Sequence, residues 1–285
     1  MATPTYTPPS ELLGPSYFGG NIPSLNRLKN LLILSGHGTI SCNGKSFKLS
    51  KDYLSIPNQA SGKFRVGSIS SKIPGCTNHE LKTLLRNAGT KNIRIHENIF
   101  LELTHCIWHL EQKSHLASFV HLYRLIEHSA LYLPLVSIVS KGLNDITFNQ
   151  YKEVVNNTAK ADLSVLKSFS QRLLDQNFAN STARYSFSTG SQPQSACSVA
   201  KALLNQGEIS NSGNDFIELK YQHTDRLIIN FRNQFFHYLY NEKNISIRDI
   251  GSPEDFLGSC IPNFLTYFSF LFREFLIAEW EIWAN

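Results

Sequence analysis

The sequence predicts a mainly α-helical protein with a small α+β, β-rich domain at its N-terminus. Three observations carry that expectation. Residues 1–92 are rich in Gly, Ser, Pro and Asn and break into short β-like runs. From Ile93 onward the texture becomes helical, with long apolar-periodic stretches. Near the C-terminus, Ser252-Pro253-Glu254-Asp255 opens a long helix, with the cap, the proline and the early acids in the order a helix start requires. The expected domains are 1–92 and 93–285.

Within the first domain, residues 30–35 read as an apolar strand. Asn43-Gly44 lies between the runs 39–42 and 45–49 and signals a type I′ hairpin, whose two central positions both need positive φ. Residues 53–56 and 64–69 read as further strands, and 79–87, following Asn78, as a short helix. Within the second domain, 95–112 reads as a helix. So does 114–140, bent at Pro134 and ended by Lys141-Gly142. Thr147 with Gln150 makes a capping-box start for a helix running to about Phe178. Residues 180–194 read as a polar loop. A short helix is expected over 195–205, then a Gly/Asn/Ser turn, then a helix over 224–240.

Composition narrows the function classes. Hydrophobic residues are 42% and charged residues 17%, which gives a real core and excludes global disorder. A net charge of +5 permits a polyanionic partner, but the basic residues are scattered rather than gathered in a stripe. Five cysteines lie far apart with no Cys-x-x-Cys, which suits a reducing compartment. Residues 1–10 have no basic region followed by an apolar core. The apolar stretches 116–139 and 261–272 are interrupted by charges or too short for a bilayer. The expectation is a cytoplasmic protein with no membrane association.

The richest segment is Phe231-Arg232-Asn233-Gln234-Phe235-Phe236-His237. On a helical wheel, Leu227, Ile228, Phe231, Phe235, Tyr238 and Leu239 cover one broad core face. Ile229, Phe236 and Tyr240 form a second apolar strip, with Asn233 among them. Arg232 and His237 stand at its two edges. A surface helix should be polar there, so this face is expected to be buried or to meet another protein, for instance a second copy. Such a dimer would line one groove with two Arg and two His. A neutral imidazole can take the 2′-hydroxyl proton of RNA, and a guanidinium can hold the phosphate in two-pronged fashion. That chemistry needs no metal or cofactor.

The same residues resemble the signature of HEPN-domain ribonucleases, in which Arg, a polar residue and, a few positions on, His sit on a late helix of an antiparallel helical bundle. Tyr123-Arg124-Leu125-Ile126-Glu127 is similar to the Tyr-Arg-x-x-Glu run of many such domains. The resemblance covers about 93–285. It implies a HEPN-like bundle, a homodimer and metal-independent RNA cleavage, often in toxin or abortive-infection antiviral systems, with an inhibitor or trigger protein as a further partner. It implies catalytic roles for Arg232 and His237 and an auxiliary one for Asn233. Arg124 and Glu127 read first as a buried brace, with Glu127 also able to orient His237. Residues 1–92 would then sense, regulate or recruit. Toxins of this family that pair with a nucleotidyltransferase carry Tyr two positions after the His, where this chain has Leu239. A non-catalytic HEPN-like interaction module is the alternative.

Other constellations rank lower. His37, in Ser35-Gly36-His37-Gly38, and Cys197 faintly resemble the His and Cys segments of caspase-like proteases, but Cys197 follows a polar loop rather than a buried strand. His105 and His109, with Glu102 one turn earlier, have metal-capable spacing without an evident third ligand, so packing is the expected role. Gly44-Lys45-Ser46 lacks the upstream glycine of a phosphate loop.

Overall fold

A computed structural model describes residues 2–10, 25–55, 73, 77–88, 91–141, 173–236 and 244–283. In chain order the elements are β1 (Thr5–Thr7), α1 (Asn26–Leu34), β2 (Thr39–Cys42), β3 (Lys45–Lys48), α2 (Asn78–Asn87), α3 (Ile93–Glu111), α4 (His115–Lys141), α5 (Gln176–Asn180), β4 (Thr182–Ser186), α6 (Pro193–Ala202), β5 (Ile209–Ser212), β6 (Phe216–Lys220), α7 (Thr224–Phe236), α8 (Ile247–Ile250) and α9 (Pro253–Trp283). The protein is mainly helical, with two small antiparallel sheets ordered β1-β2-β3 and β4-β6-β5. The long helices dominate: α4 packs along both α3 and α9, and α1 packs on α3.

The α4–α9 contact is built from unlike devices. Ser252 caps the start of α9, accepting from the Asp255 N–H at 3.2 Å. The same first turn supplies Glu254, whose carboxylate accepts from the backbone N–H groups of His115 and Leu116 at the start of α4. One acid therefore satisfies donors that α4 cannot satisfy itself. Gly258 lets the helices close up: a Cβ there would lie 2.6 Å from His115 Cε1. Further along, α9 meets α5 instead, where Phe270 stacks on Phe178 with centroids 3.7 Å apart.

Both halves of the chain contribute to one hydrophobic cluster, from Leu28 in α1 to Ala278 in α9. A buried ionic knot joins them as well. Glu279 of α9 accepts from Arg27 Nε at 2.8 Å and Nη2 at 2.9 Å. His96 Nε2 lies 3.1 and 3.2 Å from the same carboxylate. Burial pushes the Glu279 carboxyl up, but His96 and Arg27 outweigh it and hold the group at about 2. Burial also pushes the His96 imidazole below its ordinary range, more strongly than Glu279 raises it, so the ring is a neutral donor.

Several expectations need correction. Residues 30–34 belong to helix α1, with Ser35 at its C-terminal cap, and do not form a strand. The run is buried nearly all round and contains one β-branched residue, so neither alternation nor propensity marks a strand. The Asn43-Gly44 hairpin forms as expected, with φ of 51° and 75° at its two turn residues. Residues 53–55 form a turn, where Asp52 accepts from the Leu54 N–H at 2.9 Å and the Ser55 hydroxyl at 2.6 Å. The short helix expected over 79–87 forms as α2, which begins one residue earlier and is capped by Thr77 through a capping box with Glu80. The helix expected to reach Phe178 is broken before it, because Asp175 caps the separate helix α5. The loop expected over 180–194 contains β4, and the expected turn contains β5 and β6. Strands β4 and β6 alternate, burying Ala183, Tyr185, Ile217 and Leu219 while Arg184 and Glu218 between them face outward. The run 64–69, the Thr147–Gln150 start and residues 238–240 lie outside the described residues. Among the described residues, no helix is long and apolar enough to cross a membrane.

Candidate functional site

Helix α7 is positioned by its core face. Leu227, Ile228 and Phe231 are fully buried. Phe231 meets Phe119 edge-on at 5.2 Å and stacks on Phe256 at 5.0 Å. The Thr224 hydroxyl lies 3.2 Å from the Tyr185 hydroxyl and fixes the first turn to β4. With that face set, the next residue, Arg232, points toward α4. Its guanidinium lies over the Tyr123 ring, 4.8 Å from the centroid, and its Nη1 donates to Asn233 Oδ1 at 3.1 Å. Among the described residues, Arg232 has no carboxylate partner.

Around it lies an open cleft of about 210 Å³, lined by Tyr123, Arg124, Glu127, Arg232 and Phe236 with Phe119 and Val120. The structure thus brings Arg232, Asn233, Arg124 and Glu127 into one neighbourhood. The expected Arg124–Glu127 brace takes a different form. Arg124 is exposed and reaches Glu102 on α3 at 3.5 Å, while Glu127 hydrogen-bonds the Tyr123 phenol. Burial, the Arg232 charge pulling down and Glu127 pushing up together leave that phenol at about 12, so it stays neutral and donates. On the second face of α7, Ile229 is half-buried and Phe236 is 40% exposed. Phe236 stacks on Phe119 at 5.8 Å and forms part of the cleft wall. His237 and Tyr240 lie outside the described residues.

A second constellation lies close by. His105 and His109 of α3 are joined by His121 of α4, with candidate ligand nitrogens all within 4.8 Å of one another. His121 stacks on His105 at 4.8 Å and on His109 at 5.4 Å. Its Nδ1 lies 2.6 Å from Glu102 Oε2. Partial burial first, and the neighbouring His121 second, push the His105 and His109 imidazoles below their ordinary range. Sequence reasoning missed His121 because the search for a third ligand stayed on one helix.

The remaining candidates have structural settings. Cys197 is buried in α6, its Sγ 3.4 Å from the Phe216 carbonyl. Burial pushes its thiol up, the opposite of what a nucleophile needs. His37 sits at a turn with its Nδ1 3.1 Å from Ser35 Oγ. Lys45 and Ser46 are hairpin residues of β3. A larger cleft of about 490 Å³ lies against α6 and α8, but its walls are mostly neutral, with Arg248 beside Asp249.

The chain matches no family model, and no curated protein or solved structure is similar to it at a significant level.

Proposed function

We propose that the protein is a metal-independent endoribonuclease of the HEPN type, acting as a homodimer. The observation that carries this reading is the setting of Arg232: a cation with no carboxylate partner among the described residues, held over an aromatic ring in an open cleft. Such a guanidinium can take a phosphate bidentately. Asn233 and Tyr123 hold its plane, Glu127 holds Tyr123, and Arg124 adds a second positive charge at the rim.

His237 follows on the same stretch of chain and supplies the base. It removes the proton of an RNA 2′-hydroxyl. The 2′-oxygen forms a bond to the adjacent phosphorus, and the bond from phosphorus to the 5′-oxygen breaks. The departing oxygen takes a proton from solvent or from the second copy's imidazolium. The products are a 2′,3′-cyclic phosphate and a 5′-hydroxyl. Arg232 stabilises the charge that builds on the phosphoryl oxygens. The second copy packs across Ile229, Phe236 and Tyr240, which accounts for an aromatic ring left open to solvent beside a charged cleft. In a cell, this activity fits a toxin or abortive-infection effector working in the cytoplasm, held in check or triggered by a protein partner. The alternative is a non-catalytic HEPN-like module, favoured by the apolar rim that exposed Val120 and Phe236 give the cleft.

The test is incubation of the full chain with total RNA in EDTA, beside Arg232→Ala and His237→Ala. The proposal expects cleavage by the parent, cyclic-phosphate ends, and a loss of roughly 100-fold or more in each variant. Parent protein that leaves RNA intact, or cleavage indifferent to both substitutions, overturns it and leaves the interaction module.

A further inference from the structure

We propose that His105, His109 and His121 form a binding site for one divalent transition-metal ion, zinc by preference, at the α3–α4 hairpin. The proposal does not rest on the RNA-cleavage reading; the cluster and the cleft meet through the contact of Glu102 with Arg124.

Three features support it. First, the donors converge from two helices. The i, i+4 pair on α3 places two rings on one face, and α4 brings the third against both, with all three candidate nitrogens within 4.8 Å. Ligands of a tetrahedral zinc ion sit about 2.0–2.1 Å from the metal and hence roughly 3.4 Å from each other. Small side-chain rotations close that gap, and all three rings are only part-buried, so they have room to turn.

Second, the site has the outer partner that metal-binding histidines use. The short contact from His121 Nδ1 to Glu102 assigns the Nδ1–H to the carboxylate. Nε2 is left with its lone pair free for the cluster. A carboxylate behind a histidine fixes the tautomer and raises ligand basicity. Glu102 is itself held by Arg124.

Third, the donor chemistry selects the ion. Three imidazoles with no inner carboxylate suit zinc and its neighbours, not magnesium or calcium. Three protein ligands leave a fourth position for water. The ion would cross-link α3 to α4 beside the Lys113 turn.

The experiment is equilibrium dialysis of the full chain, stripped with chelator, against Zn²⁺, with Co²⁺ as a spectroscopic probe. The expected result is one ion per chain and visible Co²⁺ bands of a four- or five-coordinate nitrogen site. Each of His105→Ala, His109→Ala and His121→Ala should weaken binding at least about 100-fold, and Glu102→Gln about 10- to 100-fold. Arg232→Ala and His79→Ala should bind as the parent does. In Co²⁺-loaded parent protein, paramagnetically shifted ring resonances should come from three histidines, a readout that needs no variant to fold. Binding that survives the triple alanine variant, Co²⁺ spectra with thiolate bands, or no saturable binding below about 100 µM would overturn the site. RNA cleavage in EDTA is measured separately, so failure of one proposal leaves the other standing.

Discussion

Replacing Arg27 by Met tests whether the buried ionic knot holds α1 to α9. Both partners are out of solvent, Arg27 at 1% and Glu279 at 0% exposure. The guanidinium makes two bonds to the carboxylate and a third, 2.7 Å, to the Lys91 carbonyl. Without it, Glu279 keeps, among the described residues, the neutral donors His96 and, at 3.4 Å, Tyr132. Removing one partner of a buried pair costs about 3–5 kcal/mol, because the other charge is left uncompensated. Urea unfolding of Arg27→Met and Glu279→Gln should show that loss in each. The double variant Arg27→Met/Glu279→Leu should recover most of it, since an apolar pair of similar volume avoids the desolvation cost. A loss below about 1 kcal/mol in Arg27→Met would refute the reasoning. The same knot predicts that a fragment comprising residues 93–285 fails to fold cooperatively, because it retains Glu279 and His96 and lacks Arg27.

Further predictions follow from the same contacts. His96 and Glu279 are both held below their ordinary pKa values, so the unfolded chain takes up protons first. Stability should fall as pH drops below about 6.5, where unfolded His96 protonates, and again between 4.5 and about 2 through Glu279. A urea midpoint that is flat from pH 7 to pH 3 would contradict this. Phe236→Asp should shift sedimentation from dimer to monomer, since a charge buried in an apolar interface is costly; a parent that is already monomeric would remove the dimer. Gly258→Val should lower stability by about 1–3 kcal/mol by forcing α4 and α9 apart, as a lower melting temperature would show. Tyr123→Phe should keep RNA cleavage within a few-fold and Tyr123→Ala should lower it about 10-fold, because the ring supports Arg232 through a cation–π contact. Equal loss in both would assign the role to the hydroxyl.

Much of the fold was legible where local chemistry decides it. The Asn43-Gly44 turn, the capping of α9 and the extents of α3 and α4 follow from residues adjacent in sequence. Elements decided by distant partners were not. The run Leu31-Leu32-Ile33-Leu34 is helical because it is wrapped by the core on nearly every side. Strands β4 and β6 were hidden by their own solvent-facing residues, Arg184 and Glu218, which pair across the sheet at 3.1 Å. At the cleft, the sequence pointed to Arg232 and to the Tyr123–Glu127 run, while the partner of each charged group depended on packing.

The α3–α4 hairpin shows how more could have been read. Lys113 turns the chain with a φ of 59°, and two antiparallel helices then face each other as a reflection about that residue. Glu102 and Arg124 stand at equal distances on either side of Lys113, as do His105 and His121. Both pairs are in contact. Once the Lys113-Ser114 break is recognised as a tight connection between antiparallel neighbours, the third histidine falls opposite the first. The reflection also makes Glu102 a shared residue: one carboxylate oxygen holds His121 and the other holds Arg124 at the cleft rim. The imidazole cluster and the guanidinium cleft are therefore joined by a single side chain, and any change that moves Glu102 acts on both.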